Sequence, residues 1–217
     1  GVQNVHIWGR GVDLDLFNPA HKSSEEVAAL RSKIAPKGEK VVGFVGRLAA
    51  EKQVHRMSEL LGMKNTKLVI VGDGPERSRL ESQFAGSGVY FAGRQTALEL
   101  AYHYAALDVF VHFGTEETFG QTIQEAQASG LPVVAPNMGG PKFLIEDGVN
   151  GFLATPSGQG DYLRLVKKLV DDEKLQRTMA NAARASVAAK SWESNNAKLI
   201  EFYQQAIVQA TKTAAGI

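Results

Sequence analysis

The run Leu68-Val69-Ile70-Val71, with Gly72-Asp73-Gly74-Pro75-Glu76 directly behind it, decides the fold class. Four successive apolar residues leave no polar face, the pattern of a strand covered on both sides of a parallel sheet. The glycines, proline and acids that follow form a turn at the strand's carboxyl end. Working outward, the same rhythm predicts strands over 41–45, 67–71, 89–91, 108–111, 132–135 and 151–153. Between them it predicts helices over 53–61, 76–84, 97–104 and 122–129. Short apolar strands alternating with such helices are βαβ units, so the expectation is a doubly wound, Rossmann-like α/β fold with a parallel sheet.

On the amino-terminal side, Ser23 or Ser24 caps a helix running to about Ile34, and Pro36-Lys37-Gly38 reads as a turn. Beyond the last strand, three helices are expected over 161–171, 173–190 and 193–210, the second containing the strongly helix-forming ANAARASVAAK. Helices with no strand between them suggest an appendage, or a brace against something outside this chain. The chain begins with Gly1, and GVQNVHIWGR has no apolar signal core, so it is expected to start inside a longer protein.

Composition narrows the function. The 217 residues carry 24 Lys+Arg against 23 Asp+Glu, a net charge of +1, with 44% hydrophobic residues and no cysteine. A near-neutral chain lacks the basic field that binds nucleic acid through its phosphates. Without cysteine there are no disulfides, Fe–S clusters, Cys-ligated zinc or thiol nucleophiles. No apolar run approaches a membrane span, and the chain is expected to be soluble.

In an open parallel sheet, ligands bind beyond the carboxyl ends of the strands, so the segments there carry the candidates. After the first strand, Gly46 lets the backbone turn closely and puts Arg47 and Lys52 on one loop. A planar guanidinium and a movable ammonium suit a diphosphate; the alternative is two solvated charges or an Arg47–Glu51 ion pair. After the fourth strand, Gly120 opens a helix whose N–H groups and positive dipole end make an anion site. Glu117 lies just before that helix and Glu125 inside it. Such a pair suits sugar hydroxyls at the helix mouth and a ribose diol farther along. The plainer reading gives Glu117 a helix-dipole contact and Glu125 a surface position.

Other features lead elsewhere. Asp13-Leu14-Asp15 has an Asp-x-Asp spacing but precedes the sheet, which argues against a metal role. Gly72-Asp73-Gly74 starts like a dinucleotide fingerprint, yet Arg77 stands where the third glycine belongs. The five histidines lack metal-ligand spacing, and His112 alone falls at a strand's carboxyl end, where it is either structural or a supporting or basic group of the site.

Taken together, Gly46-Arg47-Leu48…Glu51-Lys52, LVIVGDGPER over 68–77, Phe91-Ala92-Gly93, and Glu117-Thr118-Phe119-Gly120…Glu125-Ala126…Gly130-Leu131-Pro132-Val133-Val134 follow in a telling order. They resemble the carboxy-terminal, donor-binding domain of the retaining glycosyltransferases of GT-B fold, family 4. The similarity runs from about Val12 to about Thr155, and the last helix resembles the one that crosses back to a partner domain. The resemblance implies transfer of a sugar from a nucleotide donor with retention at the anomeric carbon. It implies Arg47 and Lys52 as a diphosphate clamp, Glu125 as ribose ligand, and Glu117 with the backbone of Phe119, Gly120 and Gln121 as the donor-sugar and phosphate site. The Gly93-Arg94 loop would touch the base. No metal, cofactor or carboxylate nucleophile is implied.

Two positions depart from the family pattern: His112-Phe113-Gly114-Thr115 replaces the common Pro-Ser, and Lys142 replaces the Glu usual after the Gly139-Gly140 turn. Val-His-x-Gly-x-x-Glu-Thr-Phe is similar to the actinobacterial lipid and lipoglycan mannosyltransferases, which makes GDP-mannose the expected donor and a lipid or glycan the acceptor. On this reading 1–22 form an interdomain hinge, 23–190 the nucleotide-sugar-binding domain, and 191–217 a helix that packs on an amino-terminal acceptor domain outside this chain. The resemblance places the protein in the cytoplasm, peripherally at the inner face of the plasma membrane in the full-length form. A noncatalytic nucleotide-binding regulatory domain and a sugar-nucleotide epimerase of the same fold are the alternatives.

Overall fold

The computed structural model describes residues 5–158 and 160–214. Six strands, β1 (Lys40–Val45), β2 (Thr66–Val71), β3 (Tyr90–Gly93), β4 (Val109–Val111), β5 (Val133–Pro136) and β6 (Gly151–Ala154), form one sheet in the order β3-β2-β1-β4-β5-β6. Every pairing is parallel, as the unbroken apolar strands require. Successive side chains point to opposite faces: Val42 and Phe44 of β1 join one buried cluster, Val41 and Val45 the other.

Helices cover both faces. On one lie α2 (Arg77–Gln83), α6 (Asp161–Asp171) and a 3-10 segment at Val54–Leu60; Leu80, Tyr162 and Met57 are their buried anchors. On the other lie α1 (Glu25–Ile34), α3 (Ala97–Ala106), α4 (Gln121–Ala128) and α7 (Glu173–Val187), anchored by Ile34, Tyr104, Ile123 and Val187. A short α5 (Pro141–Leu144) and the long α8 (Trp192–Ala214) complete the chain.

The expected helix over 53–61 takes a different form. Two 3-10 segments, Ala50–Lys52 and Val54–Leu60, meet at Gln53, whose φ of 50° is left-handed. Val54, Met57 and Leu60, three residues apart and all buried, match the three-residue turn of a 3-10 helix better than the 3.6 of an α-helix. The short α5 follows the Gly139-Gly140 turn and has no counterpart among the expected helices; its proline sits in the first turn, where a missing N–H costs nothing.

The segment read as a hinge is docked from Val12 onward. The Val12 N–H donates to the Lys190 carbonyl at 2.9 Å, and Val12 and Phe17 are buried in the same cluster as Val187. Residues 1–4 and 215–217 of the expected hinge and carboxy-terminal helix lie outside the described residues.

Strand order reverses between β1 and β4. Their carboxyl-end loops diverge there and leave the crevice in which doubly wound folds place ligands.

Candidate functional site

The loops after β1, β2 and β3 are stitched into one rim by backbone hydrogen bonds. The Leu48 N–H donates to the Asp73 carbonyl at 2.9 Å, Glu76 N–H to Leu48 at 2.9 Å, and Gly72 N–H to Gly93 at 2.8 Å. Gly72 makes this approach feasible, since a Cβ on it would lie 1.9 Å from the Gly46 carbonyl oxygen. Behind the rim opens a cavity of about 670 Å³ whose lining includes Gly46, Arg47, Asp73, Arg94, Gln95 and Glu125. Arg47 is exposed and makes no ion pair among the described residues, so the alternative Arg47–Glu51 pair is not formed.

Glu125 projects from α4 into this cavity. The buried Tyr104 hydroxyl, on α3, donates to its Oε2 at 2.9 Å. Burial pushes the Glu125 carboxyl up to about 7, against the opposing hydrogen bonds of Tyr104 and Gln121. A carboxylate held this way has lone pairs directed at the cavity and can accept from a vicinal diol.

A second cavity of about 220 Å³ adjoins the first, sharing Val45, Gly46, Arg47 and Thr122 and adding Lys52, His112, Glu117 and Gln121. The Lys52 ammonium donates to Glu117 Oε2 at 2.6 Å, while the N–H groups of Gly120 and Phe119 donate to Oε1 at 3.0 and 3.4 Å. Burial alone would raise the Glu117 carboxyl, but Lys52, the Gly120 amide and His112 together carry it below the ordinary value. Its backbone is fixed as well, because the Gly140 N–H donates to the Glu117 carbonyl at 2.6 Å.

Of the residues singled out from the sequence, Gly46, Arg47, Lys52, Arg94, Glu117, Gln121 and Glu125 line these two connected cavities. Gly93 stands one step back, its carbonyl holding Gly72. Phe119 turns its ring to the outer surface, with the Arg10 guanidinium 4.9 Å above it. The amides of Phe119 and Gly120, read as an anion site, are directed at the carboxylate of Glu117 itself. Glu117 thus has the helix-end contact of the plainer reading and borders the cavity as well. Asp13 uses Oδ1 to accept the N–H groups of Asp15 and Leu16, a local turn. Sequence reasoning missed Tyr104, although a tyrosine on the apolar face of a helix needs a partner for its hydroxyl.

Known proteins resemble this chain in sequence and in fold. The profile of the family described as glycosyl transferases group 1 matches residues 27–186. A GDP-mannose-dependent alpha-mannosyltransferase of Mycobacterium tuberculosis is 42% identical over 215 residues, covering 99% of this chain and 55% of that protein. A protein of the same description from Corynebacterium glutamicum is 42% identical over 208 residues, covering 95% of this chain and 49% of that one. The chain therefore spans about half the length of these relatives. Among crystal structures, Anabaena Alr3699/HepE in complex with UDP and glucose superposes with a TM-score of 0.79 at 28% identity, over 89% of this chain and 55% of that one.

Proposed function

Because the chain belongs to the glycosyl transferases group 1 family, we propose that it is the donor-binding half of a retaining mannosyltransferase that uses GDP-mannose. The observation that carries this reading is the pair of joined cavities at the switch point, with Glu125 in the larger, Lys52 and Glu117 in the smaller, and Arg47 on their shared wall. A nucleoside in the first cavity sets its ribose diol against Glu125 and its base toward Arg94. The diphosphate then passes Gly46 and Arg47, and the sugar reaches the second cavity.

Positive charge is the chemistry the site supplies. As the glycosidic bond breaks, negative charge grows on the leaving diphosphate, and Arg47 and Lys52 stabilise it. Lys52 must exchange Glu117 for a phosphate oxygen to do so, which frees a Glu117 oxygen for a sugar hydroxyl. The names of the relatives favour transfer over a regulatory or epimerase role.

The acceptor, a lipid or glycan, belongs to a half outside this chain. Ile200, Tyr203, Ile207 and Val208 form an exposed apolar stripe along α8, suited to packing against that half. Among the described residues no helix is long and apolar enough to cross a membrane. The test is a thermal-shift screen of the chain against GDP, UDP, ADP and GDP-mannose. The expected result is a higher melting temperature with GDP and GDP-mannose than with the others; the absence of any nucleotide shift would overturn the proposal.

A further inference from the structure

At the carboxyl end of β4, His112 is held rigidly. Its N–H donates to the Val134 carbonyl at 2.9 Å, and its own carbonyl accepts from the Tyr162 hydroxyl at 2.8 Å. The Phe44 ring stacks at 6.4 Å with an interplanar angle of 20°. The imidazole is 1% exposed, yet neither ring nitrogen has a hydrogen-bond partner among the described residues. Burying two such atoms unpaired is costly, and native sites rarely do so without a purpose.

The surroundings indicate what would pair them. His112 lines the 220 Å³ cavity with Lys52 and Glu117. Nε2 is 3.9 Å from Glu117 Oε2, beyond hydrogen-bond reach, and that oxygen already accepts from Lys52. The space beside Nε2 is open because residue 114 is glycine; a Cβ there would stand 3.2 Å from Nε2. Burial, helped by Lys52, lowers the imidazole to about 4 against the pull of Glu117 and the Gly114 backbone, so at neutral pH the ring is uncharged. A neutral imidazole has one donor and one acceptor, which matches a hydroxyl, itself both donor and acceptor, whereas a phosphate oxygen would use the donor alone.

We propose that His112 is a sugar-binding residue, its imidazole hydrogen-bonding a hydroxyl of the donor's glycosyl group in the smaller cavity. The inference rests on the reading of the larger cavity as the nucleoside site. It gives the His112-Phe113-Gly114 sequence a function: the histidine supplies the contact and the glycine keeps its approach clear.

The experiment titrates the chain with GDP and with GDP-mannose by calorimetry, for the natural sequence, His112→Leu and His112→Gln. Loss of a hydrogen bond to a buried polar group predicts roughly a five- to fifty-fold weaker GDP-mannose affinity in His112→Leu, with GDP changed less than about two-fold. His112→Gln keeps a donor and an acceptor and restores most of the affinity; a merely structural histidine would show no such rescue. Equal losses for both ligands, or unchanged GDP-mannose binding in His112→Leu, would overturn the inference while leaving the nucleotide site intact. Failure of the natural chain to bind GDP at all would overturn the nucleotide reading and the inference with it.

Discussion

Glu117 and Glu125 stand at the mouth and in the body of the same helix, and their surroundings drive their carboxyl groups in opposite directions. Glu117, beside Lys52 and the Gly120 amide that leads into α4, is held below the ordinary carboxylate value. Glu125, sealed against Tyr104 behind the larger cavity, is pushed up to about 7. One residue type thus serves two purposes because placement decides which protonation state is favoured. The charged member borders the smaller cavity and the easily protonated one the larger; on the proposed function, the first meets a reacting sugar on which positive charge grows and the second holds a neutral diol.

The largest effect that would sharpen this contrast is on turnover. In a protein carrying both halves, Glu117→Gln should cut sugar transfer by about 100-fold or more, since a contact that strengthens at the transition state is lost. Binding of GDP by the same variant should stay within a few-fold of normal. Steady-state transfer assays beside GDP titrations check both; a normal transfer rate would reduce Glu117 to a helix-end contact.

The two cations come next. Arg47→Ala should weaken GDP by about 1.5–3 kcal/mol and leave guanosine unaffected, the usual magnitude for a charge-assisted contact. Lys52→Ala should cost less, because its ammonium must first leave Glu117. Calorimetry ranks them, and a larger loss for Lys52 would mean that the pair with Glu117 does not persist in solution.

A smaller effect separates the glutamates through stability. Glu125, with its carboxyl raised in the fold, contributes stability that is complete at low pH and is lost as pH rises from about 4 to about 7. Glu117 behaves inversely: its contribution is present above the unfolded carboxylate value and lost on acidification. Glu125→Gln should therefore stabilise the ligand-free chain at pH 8 by on the order of 1–2 kcal/mol and change little at pH 4. Urea unfolding at the two pH values is the check, and an equal effect at both would remove the contrast.

The smallest expected effect is none. With Arg47 and Lys52 supplying the positive charge, GDP affinity should be the same with and without EDTA. A loss on chelation that magnesium restores would assign the diphosphate to a metal instead.

Much of this was legible beforehand, for reasons that lie in particular residues. Leu68 to Val71 and Val109 to Val111 read as central parallel strands because both faces of each are buried. That Arg47, Lys52, Glu117 and Glu125 gather around one crevice was legible because the loops after β1 and β4 flank the switch point and those residues follow those strands. Contacts between segments were not. Nothing near Glu125 in the sequence points to Tyr104, whose hydroxyl reaches it only when α3 and α4 pack side by side. Nor does the helix signal at Gly120 tell that the Glu117 side chain folds back onto its amide, since that depends on the Gly140 N–H fixing the Glu117 backbone. At 53–61 the expected helix misses the break between two 3-10 segments, because the left-handed Gln53 that separates them is a backbone feature its side chain does not announce.

The division of labour between the two glutamates is tested most directly by titrating guanosine and GDP into the natural chain, Glu117→Gln and Glu125→Gln at pH 6 and pH 8. Glu125→Gln should weaken both ligands at pH 8, and the natural chain should lose part of that advantage at pH 6 as its Glu125 takes up a proton. Subtracting the variant removes the titration of the phosphate itself from the comparison. Glu117→Gln should bind both ligands nearly as the natural chain does at either pH. If Glu125→Gln binds guanosine as tightly as the natural chain at pH 8, the ribose is not held there, and the assignment of the larger cavity to the nucleoside is contradicted.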